Sequence, residues 1–387
     1  MYLAVLGREP NLSNAELEAL FSGVKRLSEN LSLFESKEIP DINRLGGVLK
    51  LARRMDGKVL DYLFEVPEGK ITIGISDYSK NATLKSVKFD VMKLKKILTR
   101  QGRSVRAVMG DTTILSTATS LHNGLSGKNP RKIELIKVEN IWYKVIGVQD
   151  IEAYARRDQG RPARDARVGM LPPKLAQILI NLCGPLKKGS VILDPFCGTG
   201  VVLQEALLMG YRAYGTDISE RMVEYALKNI KWLLPYLHLA DSSSRATNVG
   251  SATGTLKTSS EQVFCIAQGD ATSFFWKSPV DAVACEGYLG KPMSKIPSEM
   301  ELKEQKQECA DIVLSFLKNL SGQIKKGTPV VMGIPAWLRE DGVYSRLDIL
   351  DLIQDMGYNV ENKSREGLLY FRDGQVVARD IIILRKD

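Results

Sequence analysis

The chain of 387 residues has only two histidines, His122 and His238, and five cysteines, Cys183, Cys197, Cys265, Cys285 and Cys309, no two of them adjacent in sequence. An odd number of isolated cysteines gives neither a disulfide framework nor the thiolate and imidazole spacing of a zinc site, so metal catalysis is not expected and no metal is assigned. Both histidines are far from Cys285 in sequence, which makes a thiol–imidazole nucleophile the weaker reading and a small buried residue the stronger one. No apolar run approaches the ~18 residues of a membrane span, and no basic-then-apolar leader opens the chain. These absences point to a cytoplasmic protein with no membrane partner.

What is present is an ordinary globular composition, 44% hydrophobic and 26% charged, long enough for two or three domains with real cores. The net charge of +9 is unevenly spread: Lys80 to Met170 holds 19 Lys and Arg against 8 Asp and Glu, so the rest of the chain is close to neutral. A local basic excess of this kind suggests a polyanion partner, with a solvated lysine-rich surface as the plainer alternative. Lys93, Lys95 and Lys96 lie on the polar side of an expected helix within it, and Arg100 and Arg103 follow. These five are the candidate nucleic-acid contacts.

The segment Ser190 to Gly200, SVILDPFCGTG, joins a short apolar strand to a turn with two glycines one residue apart. Gly198 and Gly200 allow a tight turn whose backbone amides face a ligand at the start of the next helix. Twenty-three residues beyond Asp194, Tyr214-Gly215-Thr216-Asp217 ends a second strand on a carboxylate, where a ribose diol is commonly held. Gly269-Asp270-Ala271 and Glu286-Gly287-Tyr288-Leu289-Gly290 end two further strands. Asp194, Phe196, Gly198, Gly200, Asp217 and Asp270 therefore form a candidate cofactor bed that faces the fourth loop. A dehydrogenase also uses a glycine turn and a second-strand acid, but here the G-x-G-x-x-G spacing is incomplete.

Strands and helices alternate from Pro172 onward and end in two strands around Asp373-Gly374 that read as a hairpin. This predicts an α/β fold, a doubly wound, mostly parallel sheet closed by a C-terminal antiparallel hairpin, the usual shape of methyltransferases that use S-adenosylmethionine. Before it, residues 1–77 and 78–150 read as two small α+β units, and 151–170 as a connector. Ser13 and Glu16 read as a capping box for the first helix. Asp241 to Gln262, rich in Ser and Thr, reads as a disordered insertion.

DPFCGTG is similar to the first motif of amino-group methyltransferases, and the whole chain resembles the archaeal-type tRNA guanosine-10 2-amino methyltransferases. The opening YLAVLGREPNLSNAELEAL and the stretch RDQGRPARDARVGMLPPKLAQILINL carry that resemblance nearly end to end. It implies a ferredoxin-like unit, a THUMP RNA-binding unit and a class I catalytic domain, with S-adenosyl-L-methionine as cofactor and tRNA as partner. It further implies cofactor contacts from the six residues of the bed. The residues leave open a small activating protein subunit as a further partner. The family's fourth motif is an Asp or Asn followed by Pro-Pro and an aromatic; Glu286-Gly287-Tyr288 departs from it. Glu286 is expected to orient the amine and Tyr288 to stack on the base, in a loop loosened by Gly287. The competing readings are a DNA amino-methyltransferase and an RNA-binding protein that retains cofactor but has lost transfer.

Overall fold

The computed structural model describes residues 1–165, 170–237, 246–249, 254–258, 262–277, 279–362 and 367–387. His238, Arg167 and part of the connector string thus lie outside the described residues. The chain divides into two compact units, 1–155 and 156–387.

The first unit runs β1 (Tyr2–Leu6), α1 (Pro10–Leu20), β2 (Ser22–Ser28), β3 (Leu31–Glu35), β4 (Val48–Arg54), α2 (Val59–Glu65), β5 (Ile71–Asp77), α3 (Leu84–Arg100), β6 (Val105–Val108), α4 (Thr117–His122), β7 (Lys132–Val138) and β8 (Ile141–Val148), followed by α5 (Ile151–Gln159) across the boundary. Its eight strands form one sheet in the order β2-β3-β1-β4-β8-β7-β5-β6. The separate units expected at 1–77 and 78–150 share this sheet, because β4 of the first half pairs with β8 of the second and β5 sits between β6 and β7. β5 is buried along its whole length, as a strand with parallel neighbours on both sides should be. The stretch read as a connector is helical at its start, over α5.

Ser13 and Glu16 do not form the expected capping box. Pro10 stands in the first turn, where its missing N–H costs nothing, so the helix starts earlier and both residues fall inside it. Ser13 Oγ donates to the Glu9 carbonyl, and the fully buried Glu16 accepts from the Gly46 and Gly47 amides. A charge network also crosses this core. Lys50, 2% exposed, donates to Glu134, Ser120 and the Leu115 carbonyl, and Ser76 and Ser120 donate to Glu134.

The second unit continues with α6 (Pro173–Leu182), β9 (Val191–Asp194), α7 (Val201–Leu208), β10 (Arg212–Asp217), α8 (Glu220–Leu237), β11 (Ala246–Val249), β12 (Gly254–Thr258), β13 (Gln262–Gln268), β14 (Ala282–Glu286), α9 (Glu299–Ser321), β15 (Pro329–Leu338), β16 (Tyr344–Arg346), α10 (Leu350–Asp355), β17 (Tyr358–Val360), β18 (Leu369–Tyr370) and β19 (Val377–Lys386). The sheet order is β11-β12-β13-β10-β9-β14-β15-β19-β17, with β16 on β15 and β18 on β19. β13, β10, β9, β14 and β15 are parallel, and β19 runs antiparallel between β15 and β17. The doubly wound sheet with an antiparallel end is therefore present, and β18 with β19 forms the expected hairpin.

The insertion expected to be disordered over 241–262 falls largely outside the described residues. Its described parts, β11 and β12, form antiparallel strands that extend the sheet from β13. From β9 the chain steps outward to β10 and β13, then crosses to β14 on the other side of β9. This reversal leaves a crevice beyond the carboxyl ends of β9, β10 and β14, where ligands bind in open α/β sheets. Trp337 is fully buried in the core on β15. Cys285 is likewise fully buried, with its thiol pushed up by burial.

Candidate active site

The crevice holds a cavity of about 490 Å³ lined by residues from the ends of β9, β10 and β14. Asp194, Phe196, Gly198, Asp217, Glu286 and Tyr288 all face it, so the first two strand ends and the fourth loop meet in one space.

Gly198 and Gly200 have φ of +49° and +80°, a region open to glycine with little strain. Gly200 caps α7, and a Cβ there would stand 3.0 Å from that of Ala226, which fixes how closely α8 packs. At Gly198 a Cβ would meet nothing closer than the Phe196 carbonyl at 4.0 Å, which leaves backbone open to a ligand. The Gly198 amide donates to Asp217 Oδ2 at 2.9 Å, and the Ser219 amide donates to Oδ1 at 2.9 Å. Burial raises Asp217, opposed by those two bonds. Ile218, beside it, is 67% exposed and lines the cavity, an apolar face next to the carboxylate.

Asp194 is 3% exposed and accepts from the Phe196 amide at 3.2 Å. Burial holds it well above the usual carboxylate range, and the nearby Asp217 and Glu286 push the same way. Phe196 is held by an edge contact to Phe316, with centroids 5.2 Å apart. Asp165 also lines the cavity and is paired with Arg221 at 2.7 Å. The surplus of carboxylates over cations in this wall suits a ligand with positive charge. Sequence reasoning missed Asp165 and Ile218; an isoleucine directly after a strand-end acid was the available signal for the second.

Asp270 does not join them. It is exposed and absent from the cavity wall, and its Oδ1 accepts from the amide and hydroxyl of Thr272 at 2.9 and 2.7 Å. A short polar side chain at a strand end closes a local turn more readily than it reaches a ligand.

The fourth loop is not loose. Its Gly287 amide donates to the Gly333 carbonyl at 2.9 Å, the Lys291 amide donates to Gln305 on α9 at 2.8 Å, and the Tyr288 hydroxyl donates to Glu308 on α9 at 3.0 Å. Burial and the Glu308 carboxylate push the Tyr288 phenol up to about 12, so it stays a neutral ring in the cavity wall. Glu286 Oε1 accepts from Arg379 Nε of β19 at 2.6 Å. That cation, 93 residues away in sequence, had no local signal to reveal it. Among the described residues no group of three His, Cys, Asp or Glu side chains could hold a metal ion, and no helix is long and apolar enough to cross a membrane.

In the first unit, Lys93, Lys96 and Arg100 are exposed on α3 and Lys95 is half-buried. Phe89 and Met92, 66% and 46% exposed, lie among them. Arg103 is structural instead: its guanidinium donates to the Val66 and Pro67 carbonyls at 3.0 and 2.8 Å.

Two protein families match this chain, one described as "RMKL-like, methyltransferase domain" over residues 161–304 and one as "DNA methylase" over 78–228. Among curated proteins, the tRNA (guanine(10)-N2)-dimethyltransferase of Methanothermobacter thermautotrophicus is 54% identical over 63 residues, 16% of this chain and 18% of that protein. The Methanocaldococcus jannaschii protein of the same name is 35% identical over 101 residues, 26% of this chain and 28% of that one. These matches therefore span less than a third of either relative's length. Among solved structures, TrmN from Thermus thermophilus aligns over 100% of this chain and 99% of its own, with 16% identity and a TM-score of 0.45. The methyltransferase-domain match lies within the second unit, and the resemblance read from the sequence recurs among the names of the curated relatives.

Proposed function

We propose that the protein transfers a methyl group from S-adenosyl-L-methionine to the exocyclic 2-amino group of a guanosine in tRNA, in the cytoplasm. The observation that carries this reading is the single cavity shared by the glycine turn, Asp217 and the loop from Glu286. The cofactor supplies a methyl group on a positively charged sulfur. An aromatic amine is a poor nucleophile, since its lone pair is delocalised into the ring, so positioning and hydrogen bonding carry most of the rate enhancement.

Each residue then has a definite task. Asp217 accepts from the ribose hydroxyls, Gly198 lets the backbone approach while Gly200, outside the cavity wall, sets the packing of α8, and Ile218 and Phe196 flank apolar surface of the cofactor. Asp194 and Glu286 give the cationic end a negative surrounding. Glu286 accepts from the amine, and Tyr288 offers a ring to the base, which is turned out of its stack to reach the pocket. Lys93, Lys96 and Arg100 hold phosphates.

Mass spectrometry of nucleosides from unmodified tRNA, incubated with pure protein and labelled cofactor, tests the whole reading. The expected product is guanosine methylated on its 2-amino group. Label confined to duplex DNA would assign the protein to DNA instead, and binding of cofactor without methylation of any tRNA would reduce it to a binding protein.

A further inference from the structure

We infer that Glu286, ion-paired with Arg379, selects guanine over adenine and cytosine at the methylated position, with Arg379 as a positioning residue. This inference rests on the base-methylation reading above.

Two features of the fold build the pair. Gly333 on β15 lies opposite Glu286 on β14, and β19 follows on the far side. A Cβ on Gly333 would stand 3.6 Å from that of Arg379, so the arginine stem lies beside a position with no side chain and reaches across the intervening strand to Glu286. The second is burial. The two side chains are 6% and 17% exposed, so water screens the pair poorly. Arg379 Nη1 also donates to Gln375 Oε1 at 3.3 Å, which steadies the guanidinium from the other side. Arg379 takes Glu286 Oε1, while Oε2 accepts from none of the described residues and Glu286 lines the cavity.

An ionised carboxylate only accepts hydrogen bonds. Beside its exocyclic amine, guanine carries a second donor, N1–H. Adenine has the bare N1 next to its amine, and cytosine the bare N3. Glu286 can therefore accept from both guanine groups, whereas adenine or cytosine would turn a lone pair toward it. An Asp or Asn with a backbone carbonyl, the arrangement of the fourth motif that this chain lacks, reads the amine alone. Exchange of Glu286 for the amide changes an acceptor–acceptor surface to an acceptor–donor one, which suits adenine.

The test uses the full chain. Mass spectrometry first maps the guanosine that the wild type methylates in an unmodified tRNA transcript; the same transcript with adenosine there is the second substrate. The wild type should favour guanosine strongly. Glu286→Gln should shrink the guanosine-to-adenosine ratio of kcat/KM by about 10- to 100-fold, the discrimination of one bidentate base contact. Arg379→Met should lower kcat/KM on the guanosine transcript about tenfold or more with cofactor affinity unchanged, and Arg379→Lys should recover most of it. No methylated guanosine from the wild type would refute the underlying reading. With guanosine methylated, an unchanged base ratio in Glu286→Gln, or wild-type kcat/KM in Arg379→Met, would refute the selection by this pair. If Glu286→Gln is inactive on both transcripts, the two Arg379 variants decide alone.

Discussion

Replacing Asp194 with asparagine should stabilise the protein while weakening its hold on the methyl donor. Asp194 is 3% exposed at the end of β9, and no cation is paired with it among the described residues. Burial is the largest cause of its raised value, and the Asp217 and Glu286 carboxylates add to it. A carboxyl whose folded-state value lies above its unfolded one favours the fold while protonated. That contribution is whole below about pH 4 and is lost as pH climbs through the folded-state value. The wild type therefore loses stability from this group as pH rises, beside the Asp217 and Glu286 carboxylates at the base of its pocket.

Asparagine keeps the acceptor for the Phe196 amide and removes the charge. Relief of one poorly compensated buried charge is worth about 1–3 kcal/mol. At about 2–4 °C per kcal/mol for a domain of this size, Tm should rise by roughly 2–12 °C. Thermal melts across pH 5 to 9 measure both the gain and its trend. The variant's advantage should widen with pH, and saturating S-adenosylmethionine should raise Tm less in the variant than in the wild type. A variant that melts below the wild type at pH 8, or an advantage that does not change with pH, would refute the reasoning.

Three further outcomes are expected. Asp217→Ala should raise the cofactor dissociation constant about tenfold or more in calorimetry, since a charge-assisted pair of hydrogen bonds disappears along with the partner of the Gly198 amide; unchanged affinity would mean the ribose site is elsewhere. Reversal of Lys93, Lys96 and Arg100 to glutamate should weaken tRNA binding and flatten its dependence on salt, by about one unit of log–log slope for each phosphate that is no longer neutralised. An unchanged slope would place the RNA on another surface. Lys50→Met should cost about 3–5 kcal/mol in chemical denaturation because it strands the buried Glu134, and adding Glu134→Leu should recover most of that; equal losses in the single and double variants would show that the ion pair is not the cause.

The parts of the site legible in the sequence were those written in short, contiguous strings. The run from Ser190 to Leu193 reads as a buried strand, within one residue of β9, and the two glycines after it as a tight turn. Asp217 was found because the second parallel strand ends on it. Asp270 looked equivalent by position, yet Thr272, two residues on, offers nearer donors, and a carboxylate with local partners closes its own turn. Ser13 and Glu16 have capping-box spacing, but Pro10 moved the helix start upstream and freed Glu16 for a loop 30 residues away. Arg103 counted as one of five cations, although two carbonyls hold it. The single sheet of residues 1–155 was hidden because the pairing of β4 with β8 joins segments about ninety residues apart. Charge and periodicity report composition and local geometry; they do not report which long-range partner a side chain finds.

The fourth loop is held in place without the two prolines of the motif from which it departs. Two prolines stiffen a loop by restricting the unfolded chain and fixing φ. Here the stiffness comes from outside the loop. Gly287 is tied to β15 through its amide, and Tyr288 and Lys291 are tied to Glu308 and Gln305, one turn apart on α9. Gly290, at φ +83°, completes the clamp, because a Cβ there would stand 2.6 Å from Gln305 Oε1. Three anchors on two rigid elements restrict the loop after folding, whereas prolines act before it. Gly290 is what allows the loop to lie this close to α9, whereas a Cβ on Gly287 would make only ordinary contact with the Gly333 carbonyl at 3.4 Å. Reach then follows from rigidity: a longer acceptor at position 286 is useful only if it is held, and Arg379 holds it from β19, across the intervening β15.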